Sequence, residues 1–443
     1  MPRPVKYTVG ASRREVYKPA QQACPPQDAL PRYYYVQPLQ NTPSAWQGAQ
    51  VYADYEVPAQ TGVMTEATLR FQLGSFGPVT DSTPLPVLPS TPFWVDHIEV
   101  YIGSDLIETV WKHDIWNEEI GFRTFQELGV VATDVDSVLD GSNIATVPKE
   151  WSLYNTNLDG TFPSSLESNS SGNGYWFLNM PTCLRSAKPY VRGFQSRLRF
   201  RVYFANTLDV SGVVGAQAPT LRECIMIVEE AQTDPATIAE LERAHRQSTV
   251  DYTVLVRSRV QQTFASGQIS NGNDIQIYLR GFKNKSAGVV VYATNSAAFN
   301  QSSSADMNKR YEASIYQLLD AQNNKITERL PVEWLETYVF HDATGSFATT
   351  QFDASVSTMI IFPFSADFNT TINKGCSYGG FRFTTLEQLV LNYSGGWNSS
   401  TPEGLAVRPE GIAGQTDTVI ITSVTYDYAH LTVSGGRHAF RME

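Results

Sequence analysis

One stretch spells a catalytic device by letter. GCSYG, Gly375 to Gly379, fits the G-x-S-x-G turn that lifts a nucleophilic serine out of a sheet. Asp427, followed by His430 or His438, supplies the chain order of a triad in which histidine takes the serine proton and the carboxylate holds the ring. The flanks argue against it. Such a turn needs a buried strand before Ser377 and a helix after it, whereas polar NTTINK precedes it and GFRFTTLEQLVL, which reads mainly as a strand, follows. A second pattern, DVDSVLDGSN with Asp134, Asp136 and Asp140, invites calcium. Val138 stands where the fifth-position ligand belongs and Ala145 where the bidentate glutamate belongs, so an exposed Asp-Gly turn is the better reading. A calcium site built from distant loops stays open. Glu118 and Glu119 are adjacent carboxylates with the spacing of a helix surface, which does not place two groups across a scissile bond. The six histidines, His97, His113, His245, His341, His430 and His438, show no HExxH or HxH spacing. No glycine-rich loop between a strand and a helix is present to cradle phosphate. The reading is of a chain with no catalytic residues, no cofactor, no metal and no small-molecule substrate.

If no side chain does chemistry, the elements themselves must carry the function. At 443 residues the chain suits two domains of roughly 200 residues each. Its 22 Tyr, 22 Phe and 8 Trp stand against only 33 Lys plus Arg, a balance that favours strands and broad buried contacts. The net charge of −11 argues against coating nucleic acid, which needs clustered cations. Only the start departs from this: Arg3, Lys6, Arg13, Arg14 and Lys18 make a basic, proline-containing arm that suits an acidic interior such as a genome or lipid headgroups, or else a solvated tail. Cys24, Cys183, Cys224 and Cys376 are scattered with no CxxC pair, so neither disulfides nor zinc are indicated. MPRPVKYTVG lacks a signal peptide's apolar core, and no apolar run approaches the ~18 residues of a membrane span, which leads us to expect an intracellular protein. Sequons at Asn169, Asn284, Asn300, Asn369, Asn392 and Asn398 then reflect loop composition.

The clearest boundary is TDPATIAELERAHRQS, where Asp234 caps a helix begun by Pro235, with Ile238 and Leu241 on one face and a Glu242 to Arg246 pair outside. We therefore divide the chain into an arm (1–48), a first unit (49–233), a linker helix (234–248) and a second unit (249–443). The two units repeat one another in order. TLRFQLG from Thr68 matches IQIYLRG from Ile275, and FWVDHIEVYIG from Phe93 matches GVVVYATN from Gly288. YWFLNMP from Tyr175 then matches MIIFPFS from Met359, with KPYVRGF against KGCSYGGF, RLRFRVYFAN against TLEQLVLNYS, and LRECIMIVEE against TVIITSVTYDYAHLTV. A helical insert is expected in each unit, capped by Asp114 in the first and striped by Met307, Tyr311, Ile315 and Leu318 or Leu319 in the second. The predicted fold is all-β: two tandem antiparallel eight-stranded jelly-roll β-sandwiches with short helical inserts and long polar loops such as Ser152 to Gly174.

An apolar strand ending in proline, a short loop and a further strand, set in two tandem β-rich halves, resembles the double jelly-roll major capsid proteins of icosahedral DNA viruses. VTYDYAHLTVSGGRHAF, with Tyr426, Tyr428, Leu431, Val433, Gly435, Gly436 and Phe440, is similar to the closing strand of the large-virus members, although Ala429 and His430 stand where those often carry Asn and Val. The resemblance implies a non-enzymatic structural subunit with two upright jelly rolls. It implies a homotrimer of pseudo-hexagonal outline that meets neighbouring capsomers, penton proteins and minor capsid proteins, in a virion capsid assembled inside the host cell. The arm from Arg3 to Lys18 would then face inward, toward an internal membrane or the genome. The competing reading is a tandem β-sandwich that binds carbohydrate or a receptor, since aromatics and Asn-rich loops also suit sugars; a β-sandwich hydrolase is a third. PRYYYVQPLQNTPSAWQG, Pro31 to Gly48, is either an arm ordered against a neighbour or a strap over its own unit.

Overall fold

The computed structural model describes residues 31–40, 45–46, 51–73, 91–118, 175–207, 220–269, 273–295, 311–335, 339, 359–365, 368, 379–392, 398–399 and 418–443. Arg3, Lys6, Arg13, Arg14, Lys18, Glu119, Asp134, Asp136, Asp140, His341 and Ser377 lie outside the described residues.

The first half contains β1 (Arg32–Val36), β2 (Tyr52–Glu56), β3 (Val63–Leu73), β4 (Val95–Ile102), β5 (Asp105–Trp111), β6 (Tyr175–Asn179), β7 (Leu198–Phe204) and β8 (Leu221–Ala231). The second contains β9 (Thr249–Phe264), β10 (Asp274–Tyr278), β11 (Lys285–Asn295), β12 (Tyr311–Glu312), β13 (Ile315–Leu319), β14 (Leu330–Pro331), β15 (Met359–Pro363), β16 (Phe381–Arg382), β17 (Gln388–Asn392), β18 (Asn398–Ser399), β19 (Val419–Ser434) and β20 (Arg437–Met442). Alternation writes these strands. In LRFRVYF of β7, Leu198, Phe200, Val202 and Phe204 are buried while Arg199, Arg201 and Tyr203 turn outward, as the two-residue period of a half-buried sheet requires.

The first half pairs its strands as β1-β8-β3-β6 in one sheet and β2-β7-β4-β5 in the other. In the second half β9 pairs β19, which pairs β11, which pairs β15, and the opposing sheet runs β10-β17-β13-β14. Taking strands in chain order, β1 answers to β9, β2 to β10, β3 to β11, β4 to β13, β5 to β14, β6 to β15, β7 to β17 and β8 to β19. Both halves are thus one topology used twice. The sequence repeats centred on β6 and β15, β7 and β17, and β8 and β19 agree with this order. The first two do not: TLRFQLG lies in β3 but IQIYLRG in β10, and FWVDHIEVYIG spans β4 but GVVVYATN lies in β11.

That slip has a cause. The expected helix over Tyr311 to Leu319 is instead β12 and β13, with Tyr316 and Leu318 in the core and Ile315 paired to Asn392. A spacing of four is even, so Tyr311, Ile315 and Leu319 share a face of a strand as readily as of a helix. Losing β13 shifts the preceding matches by one strand. In the first half a helix does follow β5, but it covers Lys112–Trp116 with Trp111 at its cap, and Asp114 is its third residue, reaching back to the Trp111 amide at 3.4 Å.

The segment after Pro31 straps its own chain. β1 pairs with β8 from Arg32↔Glu230 to Val36↔Met226, and Trp46 is buried with its Nε1 donating to the Trp94 carbonyl at 3.0 Å. The Trp46 ring meets Trp94 edge-on at 5.8 Å, and Trp94 meets Phe71 at 5.3 Å.

β9 and β19 are each 16 residues long and pair from Thr249↔Ser434 to Phe264↔Val419. This ladder belongs to two cores. Val250, Tyr252, Val254 and Val256, with Ala429, Leu431 and Val433 opposite, pack with first-half residues such as Phe200 and Leu184. Phe264, Val419 and Ile421 pack with Ile277, Leu318 and Leu389 of the second half. On the ladder's other face Leu255, Val424, Tyr426 and Tyr428 form a third cluster with Tyr292 and Phe368.

Helix Pro235–Gln247 joins the halves, with Asp234 accepting from the Ala236 and Thr237 amides at 3.0 Å each. Leu241 and Ile238 pack on Val63, Tyr190 and Ala231. His245 anchors the helix end to the ladder: its Nδ1 donates to the Leu241 carbonyl at 2.8 Å, and its Nε2 accepts from the Tyr252 hydroxyl at 2.9 Å, which in turn accepts from the Tyr190 amide at 3.0 Å. That arrangement requires neutral imidazole, and burial pushes its pKa below the ordinary 6.5. A depressed histidine pKa contributes stability above the unfolded value that is lost as pH falls through the folded one. Amide exchange of residues 235–247, corrected for intrinsic rates, is therefore expected to accelerate between pH 7 and pH 5, and His245→Gln to flatten that dependence.

Candidate assembly surfaces

No pocket with convergent catalytic groups organises the described residues; the features that stand out are a buried junction and the outer faces of the sheets. The junction is built on Arg257 of β9, whose side chain is 5% exposed. Its Nη1 donates to Glu108 Oε1 at 2.5 Å and its Nε to Glu118 Oε1 at 2.7 Å, while Nη2 donates to Glu118 and to the Pro181 carbonyl. Glu108 also accepts from the Cys183 amide at 2.6 Å, and Glu118 from the Tyr426 hydroxyl at 2.8 Å. Alongside, Arg259 lies over the Trp111 ring at 5.1 Å and donates to the Tyr292 hydroxyl at 2.9 Å; that hydroxyl donates to Asp114 at 3.4 Å. Two carboxylates of the first half thus share one guanidinium of the second. A cleft of about 230 Å³ opens beside them, lined by Trp111, Asp114, Arg257 and Arg259 among others.

One cation facing two buried carboxylates leaves the group short of positive charge. Burial pushes Glu118 up to about 7, against the opposing pull of Arg257 and of the Tyr426 hydroxyl. A raised carboxyl pKa gives stability that is fully present below the ordinary value and lost as pH rises through the folded one. The urea midpoint is expected to fall between pH 6 and pH 8, with Glu118→Gln losing most of that slope. An unchanged slope in the variant would assign it elsewhere.

The outer face of β2-β7-β4-β5 carries a rung of rings in register, Tyr52, Tyr203, His97 and Trp111, one from each strand. Centroids are 5.5 Å apart for Tyr52 and Tyr203, 4.2 Å for Tyr203 and His97, and 4.7 Å for His97 and Trp111. The next rung is ionic: Arg201 bridges Asp54 at 2.8 and 3.1 Å and lies 4.5 Å over Tyr52. Stacked rungs stiffen this face and end at Arg259 of the second half. On the other sheet of the first half, β1 presents Tyr33 and Tyr35, 50% and 63% exposed.

Of the candidate triad, Ser377 lies outside the described residues, and Asp427 and the two histidines have other partners. Asp427 is fully buried in β19, accepting from Ser258 Oγ at 2.6 Å and Asn284 Nδ2 at 3.0 Å. His430 pairs instead with Asp251 at 3.0 Å, and His438 with Asp105 at 2.9 Å. Glu118, expected on a helix surface, is buried at the junction. Of the other histidines, His97 contacts Asp96 at 2.9 Å and His113 packs against Phe93 at 5.4 Å. Among the described residues no group of three or more His, Cys, Asp or Glu is arranged to hold a metal ion, and no helix is long and apolar enough to cross a membrane.

No protein-family model matches the chain, and no curated protein matches it in sequence. Solved structures do match in shape. The PBCV-1 protein VP54, as fitted into a reconstruction of the virophage Sputnik, aligns over 97% of this chain and 98% of its own with a TM-score of 0.63 and 11% identity. The Faustovirus major capsid protein aligns over 98% of this chain and 93% of its own, with a TM-score of 0.52 and 8% identity. A chain of the Sputnik virophage aligns over 100% and 92%, with a TM-score of 0.50 and 10% identity. Each match runs through both halves. The chain has the double jelly-roll fold. In the double jelly roll the Arg257 junction is the contact between the two rolls, and β9 and β19 are its shared spine. Sequence reasoning passed over Arg257. Its signal was VLVRSRV, where Arg257 and Arg259 occupy one face of an otherwise apolar strand in a chain of net charge −11.

Proposed function

We propose that this chain is a major capsid protein: a non-enzymatic tile that assembles with its own copies into pseudo-hexagonal trimers and covers the facets of an icosahedral viral shell. The observation that carries the reading is the sheet order repeated in both halves together with alignment over nearly the whole of PBCV-1 and Faustovirus capsid chains. A sandwich suits a tile because alternate residues fill its interior while its loops and outer faces remain available for contact. Neighbouring capsomers, penton proteins and minor capsid proteins are the partners this role requires. The basic arm with Arg3, Lys6, Arg13, Arg14 and Lys18 would lie on the inner side, toward genome or membrane phosphates, within the virion.

Light scattering on the purified chain, followed by negative-stain imaging of the same peak, tests this. The expected result is three times the 49.2 kDa chain mass, with six-sided particles. A monomer that binds glycans on an array would instead favour the carbohydrate- or receptor-binding sandwich.

A further inference from the structure

The cleft beside the Arg257 junction opens between two sheet edges. β5 ends the sheet β2-β7-β4-β5, and β9 pairs with β19 alone among the described strands. Leu106 and Ile107 of β5 and Val256 of β9 give the cleft apolar walls, and Leu106 is 48% exposed, so the space is open to solvent on that side. At about 230 Å³ it is smaller than the roughly 300–1,000 Å³ of drug-sized sites. It suits a short chain of a few heavy atoms.

Its polar end is made by Glu108, Asp114, Arg257 and Arg259, and these four are unequally provided for. Glu108 takes Arg257 and the Cys183 amide at close range, while Arg257 is shared with Glu118 and the Pro181 carbonyl. Arg259 donates to Tyr292 and lies over Trp111. Asp114 is left with little. It is 2% exposed, yet among the described residues it accepts only from the Tyr292 hydroxyl and the Trp111 amide, each at 3.4 Å, and it has no ion pair. A buried carboxylate offers about four acceptor sites and is stabilised by short bonds from charged donors, which neither of these contacts supplies.

The surrounding charge has the same sign. Three carboxylates, Glu108, Asp114 and Glu118, meet two guanidiniums, Arg257 and Arg259, and the next cation, Lys112, is directed to Asp96 at 3.9 Å. The site is therefore one positive charge short. The missing charge is not suited to a metal ion, since no group of three or more His, Cys, Asp or Glu among the described residues is arranged to hold one. An ammonium group fits better: it is compact, brings three donors and is content with a single carboxylate beside neutral acceptors.

We propose that this cleft binds a short aliphatic amine, with the ammonium donating to Asp114 and the methylene chain lying along Leu106, Ile107 and Val256. The walls bury the carbon chain, and the ammonium supplies the charge-assisted bonds that Asp114 lacks. Every residue of the site comes from one chain, so trimer and monomer should bind alike. Failure of the site leaves the capsid reading untouched.

Calorimetry on the full chain at pH 7 tests this, with putrescine as the amine and butanediol as its uncharged counterpart, both against sodium chloride of matched ionic strength. The expected result is a saturable heat from about one putrescine per chain, and none from butanediol. Asp114→Asn keeps an acceptor for Tyr292 and Trp111 but removes the charge, and should weaken binding by roughly tenfold or more. Leu106→Trp leaves every charge in place and fills the cleft from its exposed side, and should weaken it as much. Circular dichroism should be unchanged in both. The absence of a saturable heat, or an unchanged affinity in either variant, would overturn the site and mark the amine as adsorbed on an acidic surface. Equal binding of butanediol would overturn the role of Asp114.

Discussion

Replacing Arg257 with alanine is expected to cost about 3–5 kcal/mol, the usual loss when one partner of a buried ion pair is removed. Two carboxylates depend on it. Glu108 and Glu118 are both buried, and without the guanidinium Glu108 keeps the Cys183 amide and a 3.4 Å bond from the backbone amide of residue 257, while Glu118 keeps the Tyr426 hydroxyl. Those bonds do not offset the desolvation of an anion. The loss should be largest at high pH, where Glu118, raised to about 7, is driven to ionise, and should shrink toward pH 5. Urea titration at pH 5 and pH 8 measures it. Arg257→Met combined with Glu108→Gln and Glu118→Gln should recover much of the stability, since apolar or neutral replacements of a buried ionic group are often tolerated. A loss below about 1 kcal/mol for Arg257→Ala would mean that the guanidinium does not hold the rolls together.

Trp94→Ala is the second large effect, at about 3–5 kcal/mol, in the range for emptying a buried aromatic site. Trp94 has no exposed surface and stands between Phe71 and Trp46. The variant keeps the carbonyl of residue 94, so Trp46 retains its hydrogen-bond acceptor and loses only the ring it abuts. Trp94→Phe should retain most of the stability. In the alanine variant the strap through Trp46 should loosen, with faster proteolytic nicking between residues 36 and 52. Unchanged nicking together with an unchanged denaturation midpoint would remove Trp94 from the strap's support.

The duplication was readable because β6 and β15, β7 and β17, and β8 and β19 keep their apolar runs and their order. The linker helix was readable from Asp234 and Pro235, since a cap and a proline at the first helical position are local signals. The β13 strand was not, because an even spacing of apolar residues satisfies both helix and strand. Pairing with β17 and β14 decides it, and those partners are distant in sequence. The junction was illegible for the same reason. Arg257 lies 139 residues from Glu118 and 149 from Glu108, so its solitary charge is visible in VLVRSRV but its purpose is not.

The shared ladder also governs how the chain is made. Ala429, Leu431 and Val433 are made long after Ala53 and Tyr55, yet they complete the core that contains them. The first roll cannot close as soon as its own strands are translated, because its interior lacks a wall until β19 has emerged. A product truncated before β19 leaves Val250, Tyr252 and Val254 without their ladder partners, an exposed apolar strip of the kind chaperones retain and proteases remove. Synthesis thereby inspects itself: a chain cut before β19 cannot complete its first roll.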